Sequence, residues 1–259
     1  MKKLLIRKAK KEFIKDLGKE VTIHKPRTYY VEDITKDFHS TDGIIAKKDL
    51  KKKDGSKVKT NTNKEFTIIT SSFLDDYMRM ERGAQIVSLK DIGTIIAYTG
   101  INKASTAVDA GAGSGALSCF LARICKEVTS YKIRDDFKKK KKNNQKKLNL
   151  KNLKIKKKNI FHGIDEKDLD LVTLDLPDPW NAIFAVEKSL KIGGFLVSYS
   201  PTIPQVIDFM NIITKKKSFQ HLRTTEIIKR DWEIDKRKVR PRTTQTVHTG
   251  FLSFVRKIA

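Results

Sequence analysis

Cysteine is nearly absent from the 259-residue chain, with Cys119 and Cys125 the only two. They stand six apart on one expected helix, match no metal-ligand spacing and make an unsuitable pair for a disulfide. A reducing, cytoplasmic setting with no bound metal is the expectation. Long apolar runs are missing as well. Nothing approaches the ~20 residues that a membrane span needs, and the N-terminus has no secretory apolar segment. A soluble intracellular protein without a membrane partner is therefore expected. Acidic residues are scarce beside basic ones, 30 against 55, which leaves a formal net charge of +25. A solvated basic surface accounts for part of that excess. Its size points further, to a polyanionic partner such as nucleic acid. Apolar residues make up 39% of the chain, enough for a packed α/β domain with a smaller appendage.

The most informative stretch is 107–117, Ala-Val-Asp-Ala-Gly-Ala-Gly-Ser-Gly-Ala-Leu. A short apolar run ends in Asp109, glycines follow at 111, 113 and 115, and then Leu117, Phe120, Leu121 and Ile124 recur at helical spacing. Strand, glycine turn and helix is the layout of a nucleotide-cofactor loop at the edge of a parallel sheet. Glycines permit positive φ and close backbone approach, and the helix start offers free N–H groups. A dinucleotide fingerprint would read Gly-x-Gly-x-x-Gly. The pattern here is Gly-x-Gly-x-Gly with an acid two residues before the first glycine. That arrangement resembles the first motif of the class I S-adenosylmethionine-dependent methyltransferases, so methyl transfer is preferred to hydride transfer.

Residues 1–75 read as a separate small β domain. Strand-like segments at 21–24, 28–31, 43–45, 58–60 and 65–69 are separated by turn signals such as Thr41-Asp42-Gly43 and Lys53-Asp54-Gly55. Whether this domain binds nucleic acid or only caps the fold is left open. Residues 76–259 read as the catalytic domain. After a helical region, strands and helices alternate: strand 105–109, helix 115–125, strand 127–132, helix 135–148, strands 153–156 and 169–174, helix 181–190, strand 193–199, helix 203–215, and a final strand pair at 219–228 and 246–256. That order predicts an α/β fold with a doubly wound, mostly parallel, Rossmann-like sheet. The run Lys138–Lys142 lies on the helix after the second strand and is expected to be a solvated face. Used for RNA, it would add salt-sensitive affinity without sequence preference.

A second apolar strand also ends in a carboxylate, in Leu171-Val-Thr-Leu-Asp175-Leu-Pro-Asp-Pro-Trp180. Ligands of open α/β sheets bind at the carboxyl ends of the strands, so Asp109 and Asp175 are expected to face one cleft. An N-cap role for Asp175 is the bland alternative, and Asp178 or Asn181 is better placed for it. Taken in order, Arg82-Gly83-Ala84-Gln85-Ile86, Lys90-Asp91, Ala97-Tyr98-Thr99-Gly100, the glycine loop, Leu174-Asp175-Leu176-Pro177-Asp178-Pro179-Trp180, Pro201-Thr202-Ile203-Pro204-Gln205-Val206, Arg240-Pro241 and His248-Thr249-Gly250-Phe251-Leu252 resemble the tRNA (adenine-N1)-methyltransferases of the TrmI type, most closely the archaeal ones.

The resemblance implies a class I methyltransferase sheet with a small N-terminal β domain, assembled as a homotetramer. Its implied activity is methyl transfer from S-adenosylmethionine to N1 of adenine in the tRNA T-loop, at position 58, with position 57 left open. Asp175 is the implied catalytic residue. Contacts to the cofactor are implied for the positions of Gln85, Ile86, Asp109, Gly111, Gly113, Ser114, Gly115, Ala116, Leu117, Lys132, Asn159, Ile160 and Asp175. Gln205 and His248 match positions lining the site, for substrate hydrogen bonding or for structure. Two positions depart from the pattern. Lys132 stands where the family has an acid that accepts from the cofactor ribose, and an ammonium cannot accept. Asn159 stands for an acid near the cofactor adenine, a milder change. Asp135 or Asp136 could take over from the missing acid. Lys132 motivates a rival reading, a catalytically silent tRNA-binding subunit paired with an active one. Intact glycines and Asp175 weigh against it. A methyltransferase for protein or another RNA base is disfavoured by the proline-tryptophan stretch after Asp175.

Overall fold

The computed structural model describes the chain apart from residues 84–85, 112, 133–135 and 236, with backbone alone for 136–139. It divides into two compact units, Met1–Arg79 and Met80–Ala259.

The first unit runs β1 (Lys3–Arg7), β2 (Lys10–Ile14), β3 (Lys19–His24), β4 (Arg27–Val31), β5 (Phe38–Ser40), β6 (Gly43–Ile45), α1 (Lys47–Leu50), β7 (Lys57–Lys59), β8 (Glu65–Thr70) and α2 (Phe73–Met78). An antiparallel sheet in the order β4-β1-β8-β7 carries the core, and β2-β3 and β5-β6 are separate hairpins. Leu5, Val31, Ile45, Leu50, Val58, Phe66 and Ile68 pack together as that core. Strand spacing in the sequence misses β1, β2 and β5. In β1, Leu4, Leu5 and Ile6 run apolar without alternation, so the two-residue period is invisible although the strand is central. Its Lys3 is buried, and the ammonium is satisfied by Asp54 at 2.7 Å and Thr70 at 3.0 Å.

The second unit contains α3 (Leu89–Thr99), β9 (Thr106–Gly111), α4 (Ala116–Ile124), β10 (Glu127–Lys132), α5 (Asp136–Lys147), β11 (Leu153–Lys157), β12 (Leu169–Asp175), α6 (Ile183–Ser189), β13 (Leu190–Ser200), α7 (Ile203–Ile213), β14 (Phe219–Glu226), β15 (Trp232–Asp235), β16 (Lys238–Pro241) and β17 (Phe251–Lys257). Among the described residues its main sheet has seven strands in the order β11-β10-β9-β12-β13-β17-β14. The first five are mutually parallel, and β17 runs antiparallel to both its neighbours. From β9 the chain winds outward through β10 and β11, then crosses back to β12 and β13. The reversal falls between β9 and β12, the place where open α/β sheets form their ligand crevice beyond the carboxyl ends of the strands.

Alternation along the central strands sorts their side chains. Val108, Ala110, Val172 and Leu174 join Ile183, Val186, Phe209 and Ile213 of α6 and α7 in the main apolar cluster. Burial of each Leu, Ile or Phe there contributes about 1.5–3 kcal/mol. Asp109, Thr173 and Asp175 alternate with those residues and so lie on the opposite face. On that side α5 docks without an apolar stripe. Lys141 and Asn144 are fully buried, and Gln145 donates to the Leu150 carbonyl at 3.2 Å. The expectation that 138–142 is a solvated face therefore fails at Lys141. The β15-β16 hairpin is a further departure from the expected strands; it exposes Trp232, Ile234 and Val239. The last strand starts at Phe251, five residues later than expected, because 247–250 is held by side chains.

Candidate active site

Register brings the two acids together. Thr173 and Ser130 both pair with Asp109, and Asp175 pairs with Gly111. Partners in register share a face and residues two apart do too, so Asp109, Ser130, Thr173 and Asp175 line one side of the crevice. Gly111 has φ +109°, and a Cβ there would fall 1.8 Å from the Asp175 carbonyl oxygen. Only glycine lets the two strand tips approach this closely.

Asp109 is completely buried. Its Oδ1 accepts from the Thr173 hydroxyl at 2.8 Å, while Oδ2 has no partner among the described residues. Burial raises its proton affinity, opposed by the charge of Lys141, the Thr173 bond and the hydroxyl and N–H of Ser118 at the start of α4. Asp175 at the strand tip is half-buried. Burial and the neighbouring Asp109 push its carboxyl up to about 7, against the pull of Lys141. Two acids in one low-dielectric pocket do not ionise independently, so their protons belong to the pair.

The glycine loop closes over this face. Gly115, at φ +81°, is the left-handed residue from which α4 starts. A Cβ there would come within 2.6 Å of Lys141 Cε. Ala116 and Leu117 are buried in the first turn of α4. Ser114 is buried, its hydroxyl unpartnered among the described residues, and its carbonyl accepts from Asn144 Nδ2 at 3.1 Å. The same Asn144 amide also binds both backbone groups of Glu81, donating at 2.9 Å and accepting at 2.8 Å. One side chain thus fastens α5 to the loop and to the segment before α3. Lys132 donates to the Gly113 carbonyl at 2.9 Å. In place of a carboxylate, β10 therefore ends in a cation attached to the glycine loop.

The remaining sequence candidates separate. Gln85 and Asp135 lie outside the described residues, as does the side chain of Asp136; Ile86 is half-buried next to the first gap. Asn159 caps the turn it begins, accepting from the Phe161 N–H at 3.0 Å, and Ile160 is part of the apolar core. Gln205 donates to the Pro177 carbonyl at 3.0 Å and accepts from Thr202 at 2.9 Å. It ties α7 to the extended exit from β12. His248 spends both ring nitrogens on the protein, Nδ1 on Glu226 at 2.6 Å and Nε2 on the Pro201 carbonyl at 2.9 Å. Those two acceptors favour the imidazolium and raise its proton affinity.

Three positioning features leave no readable signal in the sequence. Lys141 and Asn144 sit in a lysine-rich helix whose composition hides them. The third is a polar knot 158 residues apart in sequence. Buried Asp91 accepts from Lys90 at 2.9 Å, Ser88 at 2.8 Å and Thr249 at 2.7 Å. Tyr199, in the β13 position beside Asp175, donates to the Thr249 carbonyl, and Gly250 leaves room for its ring. Lys90-Asp91 and Thr249-Gly250 both stand out as motifs, but nothing in the sequence joins them.

Arranged this way, the crevice offers a glycine cradle, two acids of raised proton affinity and two lysines. Among the described residues no group of His, Cys, Asp and Glu could hold a metal ion. Comparison with known proteins agrees with the geometry. The chain is 33% identical over 260 residues to the tRNA (adenine(57)-N(1)/adenine(58)-N(1))-methyltransferase TrmI of Methanocaldococcus jannaschii, covering 89% of this chain and 91% of that one. It is 28% identical over 208 residues to the tRNA (adenine(58)-N(1))-methyltransferase TrmI of Thermus thermophilus, covering 78% and 81%. A SAM-dependent O-methyltransferase structure from Thermotoga maritima superposes with a TM-score of 0.79 at 29% identity, over 99% of this chain and 93% of that one. Residues 77–249 match the family described as the tRNA methyltransferase complex GCD14 subunit. The chain belongs to that family of tRNA methyltransferases.

Proposed function

We propose that this chain transfers a methyl group from S-adenosylmethionine to N1 of adenine in the tRNA T-loop, with Asp175 at the reacting base. The observation that carries the reading is the register of Asp175 with Gly111 at the reversal of the sheet. It sets two acids on one face under a glycine loop. The related TrmI enzymes of M. jannaschii and T. thermophilus carry adenine-N1 activity in their names, and position 58 is common to both.

The residues present fit the methyl donor, whose sulfonium supplies an electrophilic methyl group. Asp109 Oδ2 and Ser114 Oγ are buried without partners among the described residues, an arrangement that costs free energy unless a ligand completes it. Gly111 and Gly115 carry no side chain where the Asp175 carbonyl and the Lys141 methylenes come close, Gly113 is proposed as a further contact of the same loop, and Ala116 and Leu117 begin α4 beside it. Gln85, Ile86, Asn159 and Ile160 are proposed as flanking contacts. Lys132 would meet the ribose hydroxyls as a donor to their oxygens, since a hydroxyl also accepts.

For the reaction, the chain has to hold an extruded adenine in line with the donor. Alkylation at N1 makes the base cationic. Asp175 faces that charge in a pocket of low dielectric, where a fixed carboxylate is most effective, and it can take the N6 proton. Gln205 holds the 176–178 segment through the Pro177 carbonyl, which keeps the strand exit open. His248 serves structurally, because both its nitrogens are engaged.

The silent-subunit reading is not favoured, since loss of chemistry would relax the demands on Asp175 and Gly111. A homotetramer is part of the proposal, supported by the exposed Trp232, Ile234 and Val239 of the β15-β16 hairpin. A cytoplasmic site is proposed from the tRNA substrate and the two buried free thiols. Incubation of the purified chain with S-adenosylmethionine and unmodified tRNA, followed by nucleoside mass spectrometry, tests the whole. 1-Methyladenosine is the expected product, and its absence with folded protein refutes the activity.

A further inference from the structure

Lys141 is fully buried although it sits in the lysine-rich helix α5. Its ammonium donates to the Ser130 hydroxyl of β10. Its methylenes lie against Gly115, where a Cβ would come 2.6 Å from Cε and 2.9 Å from Cγ. The charged or titratable groups that face it are Asp109 from β9, Asp175 from β12 and the Cys119 thiol from α4. Burial weakens its hold on a proton, and the two acids strengthen it. A cation in this place is unexpected on electrostatic grounds, because a site for a sulfonium should not already contain positive charge.

We propose that Lys141 makes the methyl-donor site charge-selective: donor binding expels a proton from Lys141, whereas the demethylated thioether, neutral at sulphur, binds without that loss. The inference rests on the donor site proposed above. Like charges brought together in a medium of low dielectric repel strongly, and a buried lysine relieves the repulsion by releasing its proton to solvent. Methyl transfer removes the charge from sulphur, and Lys141 then recovers a proton from solvent. The proton count closes over one turnover. A consequence is that donor affinity rises with pH relative to thioether affinity, by up to about tenfold per pH unit while Lys141 is protonated in the free protein.

Calorimetric titration of the full chain with S-adenosylmethionine and with S-adenosylhomocysteine, in buffers of different ionisation enthalpy, reads the proton directly. At pH 8 Asp175, at about 7, is already largely ionised and contributes little. Wild type should release more protons with the sulfonium than with the thioether. Lys141→Met should remove that difference, and Lys141→Gln should do so while keeping a hydrogen bond to Ser130. Subtracting a variant from wild type cancels the ligand's own amino group, which titrates in the same range. Equal proton counts in wild type and either folded variant overturn the role of Lys141. So does a wild-type affinity ratio that stays flat from pH 7 to pH 9. If neither ligand binds wild type, the donor site itself is refuted, and this inference with it.

Discussion

Replacing Asp175 by Asn should stabilise the protein while abolishing its chemistry, and the size of the gain follows from the pocket. Burial and Asp109 move the Asp175 carboxyl from its ordinary 3.8 to about 7. At about 1.36 kcal/mol per tenfold change in proton affinity, keeping it ionised at pH 8 costs the folded state about 4 kcal/mol. This is an upper bound, since Asn must also be desolvated and Lys141 loses a counter-charge. Between pH 4 and pH 7 the folded protein binds more protons here than the unfolded chain, so this group's contribution to stability falls as pH rises and levels off above 7. Asn cannot ionise. Asp175→Asn should therefore unfold at a higher temperature than wild type at pH 8, by no more than about 8–16 °C at about 2–4 °C per kcal/mol for a unit of this size. The advantage should shrink towards pH 4.

Calorimetric scanning at pH 4, 6 and 8, followed on the transition of the Met80–Ala259 unit, measures it. Activity gives the complementary readout. Wild-type kcat should rise with pH through about 7, because the ionised carboxylate is the working form. Asp175→Asn should lose about 10²–10³-fold in kcat at pH 8, with S-adenosylmethionine affinity within a few-fold of wild type. A variant no more stable than wild type at pH 8, or equally stabilised at all pH values, refutes the strained-carboxylate account. Full activity removes Asp175 from the mechanism.

Lys132→Glu frees the Gly113 carbonyl and restores an acceptor; donor binding by calorimetry should tighten several-fold, and no change would mean that another group already serves the ribose. Gly111→Ala places a methyl 1.8 Å from the Asp175 carbonyl at φ +109°, so the strand tips must separate. Donor binding should be lost and stability reduced by several kcal/mol in denaturant titration; an unaltered midpoint would contradict the close approach. Asn144→Ala leaves the Glu81 N–H and the Glu81 and Ser114 carbonyls without their side-chain partner, at about 1–3 kcal/mol for each buried group that stays unsatisfied. It should loosen donor binding more than tenfold, and hydrogen exchange should quicken at Glu81 while the β9 amides stay protected.

What the sequence discloses follows from how local each signal is. The β9 glycine turn and the β12 exit are written in consecutive residues, so residue order alone places Asp175 at a strand tip and Asp109 close to one; β9 runs on to Gly111, which leaves Asp109 two residues inside the strand. Alternation of strands and helices conveys the sheet for the same reason. Lys141 is hidden because a run of identical lysines carries no period, and only the packing of α5 decides which of them turns inward. Lys90-Asp91 and Thr249-Gly250 are visible as motifs, yet their meeting through Asp91 and Thr249 is a tertiary fact. Lys132 is legible as a lost acceptor. Its donation to the Gly113 carbonyl depends on a loop backbone that no side-chain pattern encodes.

Charge inside the crevice obeys a different balance from charge outside it. The exterior is strongly basic, as a chain of net charge +25 must be, and it suits the phosphates of a tRNA. Those charges are screened within about 8 Å at physiological salt, so they neither help nor hinder a reaction under the glycine loop. There the count is local: Asp109 and Asp175 against Lys132 and Lys141. A positively charged donor enters this nearly balanced set, and the positive charge then moves from sulphur to the base. Only groups already buried on the reacting face can respond to that movement without solvent rearrangement. On the proposed reading, the two acids on neighbouring strands, paired against a lysine that can give up its proton, supply that response. The same reading leaves the surface lysines to hold the RNA.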